Sequence, residues 1–569
     1  MDKKTVIQAL EKIAVYLEVQ GENPFKISAY RKAAQALEQD ERALSEIDDP
    51  GELNGIGKGT AAVIRELITT GEASVLNELS EKIPAGLIPL LKLQGLGGKK
   101  VGKLYQELNI TDAASLKQAC EQGEVQALAG FGAKTEKKIL QALEDVDKRP
   151  ERLPIAFMLE AAEQVEEQLV KLDEIQRFER AGSLRRMKET VKDVDYILSV
   201  HLEDIQAVRE KLRNLDHVST VVVDGETKVS LELGLDYPVG VDFRLVADEY
   251  FATTLHHFTG SKDHNIKMRQ LAKEQGEKVS EYGVENIETA ELLTFEQESD
   301  FYAHFGLKWI PPEAREGMDE TELFKESYPL IEDTDIQSDL HMHTTWSDGA
   351  NSIGEMVQAA VEKGYSSIAI TDHSHYLQVA NGLSPERLKR QIEEVNRVNE
   401  QYEEIEVLAG TEMDIRPDGT LDFDDELLKK LDLVIASIHS GFSQSEEEIM
   451  YRLTQALDNP HVDIIAHPTG RLIGRREGIN IDLPAFFKKA AETHTVLELN
   501  ANPNRLDLSA DLLKEAAETG VKFAINTDAH RINMLDHMTI GTGTARKALL
   551  TKDQIINTWT PAEIRDYFI

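Results

Sequence analysis

The spacing of apolar residues changes along this 569-residue chain, and the changes mark out its parts. Over residues 1–145 apolar side chains recur at intervals of three and four among frequent Ala, Glu, Lys and Leu, which predicts helices throughout. After Pro150 and Pro154 the pattern becomes mixed. A helix is expected over about 156–173 and another over about 203–215, with a strand carrying Asp193-Val194-Asp195 between them. The runs His217–Val223 and Lys228–Leu233 flank Asp224-Gly225-Glu226, a hairpin signal. Tyr237–Arg244 reads as a further strand. Residues about 316–335 are acidic, contain Pro329 and show little periodicity, as a linker does. Beyond them seven short apolar runs alternate with helical patterns: Ile336–His341, Ser367–Thr371, Glu406–Leu408, Leu433–Ile438, Ile464–Ala466, Val496–Leu499 and Lys522–Asn526. Such alternation predicts a parallel sheet closed into a distorted barrel.

The formal charge of -39 argues against a nucleic-acid binder, because phosphate backbones call for a basic surface. Divided along the chain, it is -4 over residues 1–145, -19 in the middle and -16 over residues 336–569. The first segment is therefore close to neutral, with lysines near glycine turns, and can make modest, salt-sensitive contact through backbone amides. A single cysteine, Cys120, excludes an intrachain disulfide and suits a reducing cytosol. The first 20 residues are amphipathic and charged throughout, unlike a signal or membrane segment. A soluble, cytoplasmic monomer without membrane contact is expected.

Three glycine elements recur in the first segment: Leu53-Asn54-Gly55-Ile56-Gly57-Lys58, Leu93 to Lys100 with Gly95 and Gly97, and Leu128 to Lys134 with Gly130 and Gly132. Glycines permit a tight turn, and the helix start that follows offers free amides to an anion. One such element is a plain helix turn; three resemble helix-hairpin-helix motifs, which grip DNA phosphates without reading sequence. The run Phe25 to Ala34 with the first glycine turn resembles the N-terminal domain of polymerase beta. That likeness implies DNA-end binding by Lys26, Tyr30 and Lys58. Valine 63 stands where the family's Schiff-base lysine would be, and valine forms no imine.

The string Gly182-Ser183-Leu184-Arg185-Arg186 followed by Asp193-Val194-Asp195 combines a phosphate-sized turn with two carboxylates on one strand face. Paired carboxylates repel unless a cation lies between them, and Mg2+ takes such oxygens together with substrate phosphates. A bare Asp-x-Asp is more often a solvated strand edge. The longer string GSLRRMKETVKDVDYILSV, however, resembles the nucleotidyltransferase signature of family X DNA polymerases. The resemblance implies that Asp193 and Asp195 are catalytic Mg2+ ligands, that Asp242 is the third, and that Gly182, Ser183 and Arg186 contact the incoming triphosphate. Gly240 stands where polymerase beta has an arginine. His257-Phe258-Thr259-Gly260-Ser261, with Asn265 and Arg269 on a helix, resembles the family's nucleotide pocket. There the aromatic pair lies against the sugar, Asn265 touches the base edge and Arg269 the template strand; His257 replaces a tyrosine. Leu307 to Gly317 resembles the close of the same core.

Strand ends of the last segment supply His341, His343, Asp348, His373, Glu412, His439, His467, Asp528 and His530. Barrel enzymes gather their chemistry at C-terminal strand ends, and imidazole with carboxylate suits Zn2+, Mn2+ or Fe. A lone histidine there is usually structural. The set resembles the PHP domain, whose trinuclear site hydrolyses phosphoesters, and this implies three ions, Mn2+ or Zn2+, with His341, His343, Glu412, Asp528 and His530 in the chemistry. Arg471, Arg475 and Arg476 on the next loop would either meet a DNA phosphate or simply be solvated.

The expected architecture is therefore multidomain. It comprises a DNA-end binding domain (1–80), a helix-hairpin-helix domain (81–150), an α+β palm (151–235), a nucleotide-pocket thumb (236–317), a linker (318–335) and an α/β PHP barrel (336–569). The family resemblance implies a polymerase that uses dNTPs to fill gapped or nicked double-stranded DNA during base excision repair. It also implies a 3′-5′ exonuclease in the PHP domain and abasic-site cleavage. Two other readings remain: a histidinol phosphatase-like enzyme tethered to a nucleotidyltransferase acting on something other than DNA, and a non-catalytic DNA-end scaffold.

Overall fold

The computed structural model describes residues 3–40, 44, 47, 49–93, 96–147 and 151–568. Helices fill the described part of the first segment, the longer ones being Lys3–Val19, Pro24–Gln39, Lys58–Thr70, Gly98–Leu108 and Ala133–Asp147. They close over one apolar core that includes Leu10, Ile13, Leu17, Ile64, Val101, Leu104 and Leu116. Each glycine element is the turn before a helix. Gly57 and Gly97 are helix caps, and Gly132 accepts the first helical bonds of Ala133–Asp147. Gly55 and Gly130 adopt φ of 105° and 89°, which a side chain would resist. Gly95 lies outside the described residues.

The middle of the chain builds a five-stranded sheet from β1 (Ile175–Ala181), β2 (Asp193–Val200), β3 (Val218–Asp224), β4 (Lys228–Gly234) and β5 (Pro238–Val246), in the order β1-β2-β5-β4-β3. Alternation decides the faces. On β5 Val239, Val241, Phe243 and Leu245 are buried, leaving Gly240, Asp242 and Arg244 on the other side. Only β2 and β5 run parallel, and their register sets Asp195 opposite Asp242 and Asp193 opposite Gly240.

Residues 318–335 connect two bodies, but not as a free tether. Glu320 is buried and 2.8 Å from His264, Lys308 N donates to Phe324 O, and Ile331 belongs to the barrel's core. The missing periodicity has a physical cause: the segment packs through single anchors rather than through one helix face.

The barrel strands are β6 (Ser338–Met342), β7 (Ser367–Ile370), β8 (Glu406–Asp414), β9 (Leu433–Ser437), β10 (Ile464–Ile465), β11 (Val496–Asn500) and β12 (Phe523–Asn526). They pair in parallel in sequence order, and the ring is nearly closed by a Met342–Ala529 bridge in which His343 N donates to Ala529 O at 2.8 Å. The barrel is fastened to the five-stranded sheet. Leu506, fully buried, belongs to the sheet's core, and Ile473 and Ile540 pack against it. Arg471 grips Glu189 with two nitrogens, at 2.6 and 3.0 Å, and Arg546 reaches Glu313 at 2.9 Å. Arg471 is thus engaged with the sheet body and is neither a solvated side chain nor one held open for a phosphate.

Candidate active sites

At the first site the turn Gly182–Arg185 sits directly on a carboxylate: with φ of 62°, Gly182 leaves so little room that a Cβ would come 2.1 Å from Asp195 Oδ2. Burial, and then the charges of Asp242 and Asp193, push the Asp195 carboxyl up to about 7. Lys228, on β4, holds Asp242 Oδ2 at 2.7 Å. Three acidic groups meeting with a single lysine fit a divalent cation bound by oxygens.

The two arginines of the turn have different duties. Arg185 is bound to Glu298 at 2.8 Å and to Thr259 Oγ1 at 2.8 Å, and the same Glu298 meets the fully buried Arg315 at 2.6 Å. Arg186 donates through Nη1 to the Thr259 carbonyl, while its Nε has no hydrogen-bond partner among the described residues. His257 and Phe258 precede Thr259 on the same helix, with Arg244 4.4 Å over the Phe258 ring. Gly260, at φ of 66°, lies against Arg186 and precedes the Ser261 cap of helix Lys262–Glu274. Asn265 donates to the His257 carbonyl at 2.8 Å, and burial lowers the His257 ring below its ordinary range.

The second site is a bowl at the barrel's C-terminal strand ends. His341 and His343, two residues apart at the end of β6, bring their Nε2 atoms within 3.2 Å. Glu412 occupies the centre: its oxygens lie 2.8 Å from His373, 3.2 Å from His439 and 2.9 Å from His467. Asp528 is 3.0 Å from His343, and Asp348 is 3.3 Å from His530. Three groups bring donor atoms within 4.8 Å of one another: His343, Asp348, His373 and His530; His341, His343 and Asp528; His373, Glu412 and His439. His467 joins through Glu412.

Charge in the bowl is strongly polarised. Burial disfavours a charged His341, but Glu498, Asp528 and Glu412 outweigh it and raise the ring well above its usual value. His343 goes the other way, to about 3, through burial and the neighbouring His530 and His373. Buried Nδ1 atoms of His343 and His467 have no hydrogen-bond partner among the described residues. Buried polar atoms are nearly always satisfied, so these, with the mixed imidazole and carboxylate donors, fit a cluster of metal ions.

Family profiles match four stretches: a helix-hairpin-helix domain over residues 1–73, a SAM-like helix-hairpin-helix tandem over 87–145, the DNA polymerase beta thumb over 254–316 and the PHP domain over 339–502. Over 557 residues the sequence is 58% identical to the DNA polymerase/3′-5′ exonuclease PolX of Bacillus subtilis (strain 168), covering 98% of this chain and 97% of that protein. The chain belongs to the PolX family of family X DNA polymerases. Weaker likeness extends to shorter matches: a "probable phosphatase" of Thermoanaerobacter sp. (strain X514) is 30% identical over 240 residues, 40% of this chain and 93% of that protein. Another, of Caldanaerobacter subterraneus subsp. tengcongensis, is 30% identical over 210 residues, 34% of this chain and 75% of that protein.

Lys58 and Arg269 are exposed, and Lys26 is half exposed beside Glu22 at 3.0 Å. Tyr30 is not presented: at 8% exposure it is part of the helical core, because its position on helix Pro24–Gln39 faces the first helix. Val63 is likewise buried.

Local spacing does not single out several supporting residues at the two candidate sites. Glu498 binds His341 Nδ1 at 2.6 Å and accepts from His467 N at 2.7 Å. Asp414 supports His439 at 3.2 Å, and Lys228 supports Asp242. A signal existed for Glu498, a carboxylate in the middle of the apolar run Val496–Leu499, where burial demands a partner.

Proposed function

We propose that the chain is a DNA-directed DNA polymerase that fills short gaps during base excision repair. It shortens 3′ ends, and cleaves abasic sites, in its PHP barrel. One observation carries this reading: a carboxylate triad and an imidazole-carboxylate bowl are both complete on a chain 58% identical to a DNA polymerase/3′-5′ exonuclease.

At the first site Asp193, Asp195 and Asp242 would hold Mg2+, which when bound supplies charge neutralisation for phosphoryl transfer. Gly182, Ser183 and Arg186 meet the triphosphate of a dNTP. His257 and Phe258 form the wall against its sugar, Gly260 allows close approach, and Asn265 faces the base edge. Gapped or nicked double-stranded DNA is held by the glycine turns at Gly55, Gly57, Gly95, Gly97, Gly130 and Gly132, with Lys26, Lys58 and Arg269. At the second site His341, His343, Asp348, His373, Glu412, His439, His467, Asp528 and His530 would hold three ions, Mn2+ or Zn2+. These supply Lewis acidity and an activated water for phosphodiester hydrolysis.

Among the described residues no helix is long and apolar enough to cross a membrane. With a single buried cysteine, Cys120, we place the protein in the cytoplasm as a monomer.

A one-nucleotide gapped duplex with Mg2+ or Mn2+, with and without dNTPs, tests the reading. Asp193→Ala with Asp195→Ala should abolish extension and spare shortening of the 3′ end; His341→Ala with His343→Ala should do the reverse. Survival of both activities in both variants would refute the assignment. The likeness to the probable phosphatases favours one rival, a small-molecule phosphoesterase. Faster hydrolysis of histidinol phosphate than of the labelled duplex would support it.

A further inference from the structure

The helix Met538–Lys547 of the barrel body lies against the loop that follows the Gly182–Arg186 turn. Gly543 permits the approach, since a Cβ there would meet the Met187 side chain at 3.1 Å. At the end of this helix Lys547 Nζ lies 2.5 Å from Glu316 Oε1 and 3.4 Å from the Arg186 carbonyl, to which it donates. Lys188 meets the other oxygen of Glu316 at 2.7 Å. Arg186 pairs with that carboxylate more loosely, as an ion pair at 3.6 Å through Nε, longer than a hydrogen bond.

One carboxylate thus stands among three cations, and the two lysines hold it most closely. Arg186, Glu316 and Lys547 are each largely buried, with side-chain exposures of 13%, 15% and 11%. Charges in such surroundings are weakly screened, so the arrangement of partners decides where each points. Without Lys547, Glu316 Oε1 would lose its nearest cation and have Arg186 Nε as the next available donor. A guanidinium forks readily onto a carboxylate, and a forked Arg186 would be turned from the cleft.

We propose that Lys547, a residue of the nuclease body, is a positioning residue for the polymerase's nucleotide site: it engages Glu316 and thereby leaves the Arg186 guanidinium for the triphosphate. The inference rests on the reading of Gly182–Arg186 as the triphosphate turn. Its consequence is that nucleotide affinity at one active site is set in part by the body that carries the other.

Gap filling by the full chain at varied dNTP concentration tests this, with 3′-end shortening followed in the same preparations of Lys547→Met, Lys547→Arg, Lys547→Met with Glu316→Gln, and Arg186→Ala. Lys547→Met should raise the KM for dNTP about tenfold, the equivalent of one charge-assisted hydrogen bond, with kcat and shortening changed less than about twofold. Lys547→Arg should restore the KM. Adding Glu316→Gln should also bring it back towards the unmodified value, since no charged group then competes for Arg186. An unchanged KM in Lys547→Met alongside a raised KM in Arg186→Ala would overturn the inference and leave the triphosphate reading standing. An unchanged KM in Arg186→Ala would overturn both. If kcat, KM and shortening worsened together in Lys547→Met and stayed poor in the double variant, the lysine would be structural and the positioning role refuted.

Discussion

Gly240 and Asp193 face each other across the parallel pair β2–β5, so closely that a Cβ on the glycine would lie 2.3 Å from Asp193 Oδ1. The glycine is what lets the first carboxylate of the triad stand where it does. Gly240→Ala should therefore push Asp193 aside and lower primer extension by about a hundredfold or more, because a displacement near 1 Å is costly in an aligned site. Shortening of 3′ ends should be unchanged. Wild-type extension rates in Gly240→Ala would show that the strand yields and that the close fit is immaterial.

The raised Asp195 carboxyl, at about 7, gives the proposed polymerase site a pH signature. Its ordinary value is 3.8, so the folded, metal-free chain holds a proton that the unfolded chain has lost, and this group's contribution to stability declines as pH rises between about 4 and 7. A cation must displace that proton. Mg2+ binding should release close to one proton at about pH 6 and almost none at about pH 8, with affinity falling up to tenfold per unit below 7. Calorimetric titrations in buffers of differing ionisation heat, with Asp195→Asn as baseline, measure the release. Equal proton release at both pH values would contradict the assignment.

Glu498 supports the imidazole-carboxylate bowl through the far side of His341, at 2.6 Å. Partners of this kind orient a ligating ring and raise its basicity, and their loss typically lowers metal affinity about 10–100-fold. Glu498→Gln keeps the shape and removes the charge, so a decrease near the lower end of that range is expected, read as metal retained after dialysis against a weak chelator. Primer extension should not change. Full retention of metal by Glu498→Gln would mean that His341 is oriented by other contacts.

Glu298 joins two arginines, the partly buried Arg185 at 2.8 Å and the fully buried Arg315 at 2.6 Å. Burial alone would raise its carboxyl; Arg315 and Arg185 outweigh burial and hold it far below the ordinary range. The stability it confers is thus present above the ordinary carboxylate value and is lost only as pH falls well below it. Glu298→Ala leaves two guanidiniums uncompensated and should cost about 3–5 kcal/mol, seen as a shifted urea midpoint. A change below about 1 kcal/mol would mean that water reaches the arginines.

What was legible in the sequence was whatever depends on local spacing. The glycine turns, the Asp193–Asp195 alternation, the β3–β4 hairpin and the histidines at strand ends each follow from neighbours a few residues apart, and the structure places them accordingly. What stayed hidden depends on contacts between distant segments. Tyr30 sits on a helix whose buried side is fixed by a different helix, Arg471 finds Glu189 from 282 positions away, and the aperiodic residues around Glu320 are anchored by His264. Lys228 reaches Asp242 only because β4 folds back beside β5.

Leu506 fixes how the two reactions can share one substrate. A leucine of the barrel body sealed inside the sheet's interior cannot slide or hinge away without opening a hole there and wetting its lining. The two proposed centres are thereby tied together through a packed contact, and a 3′ end served by both has to travel between them. For the same reason, excising the barrel would open the sheet's interior to water where Leu506, Ile473 and Ile540 now sit.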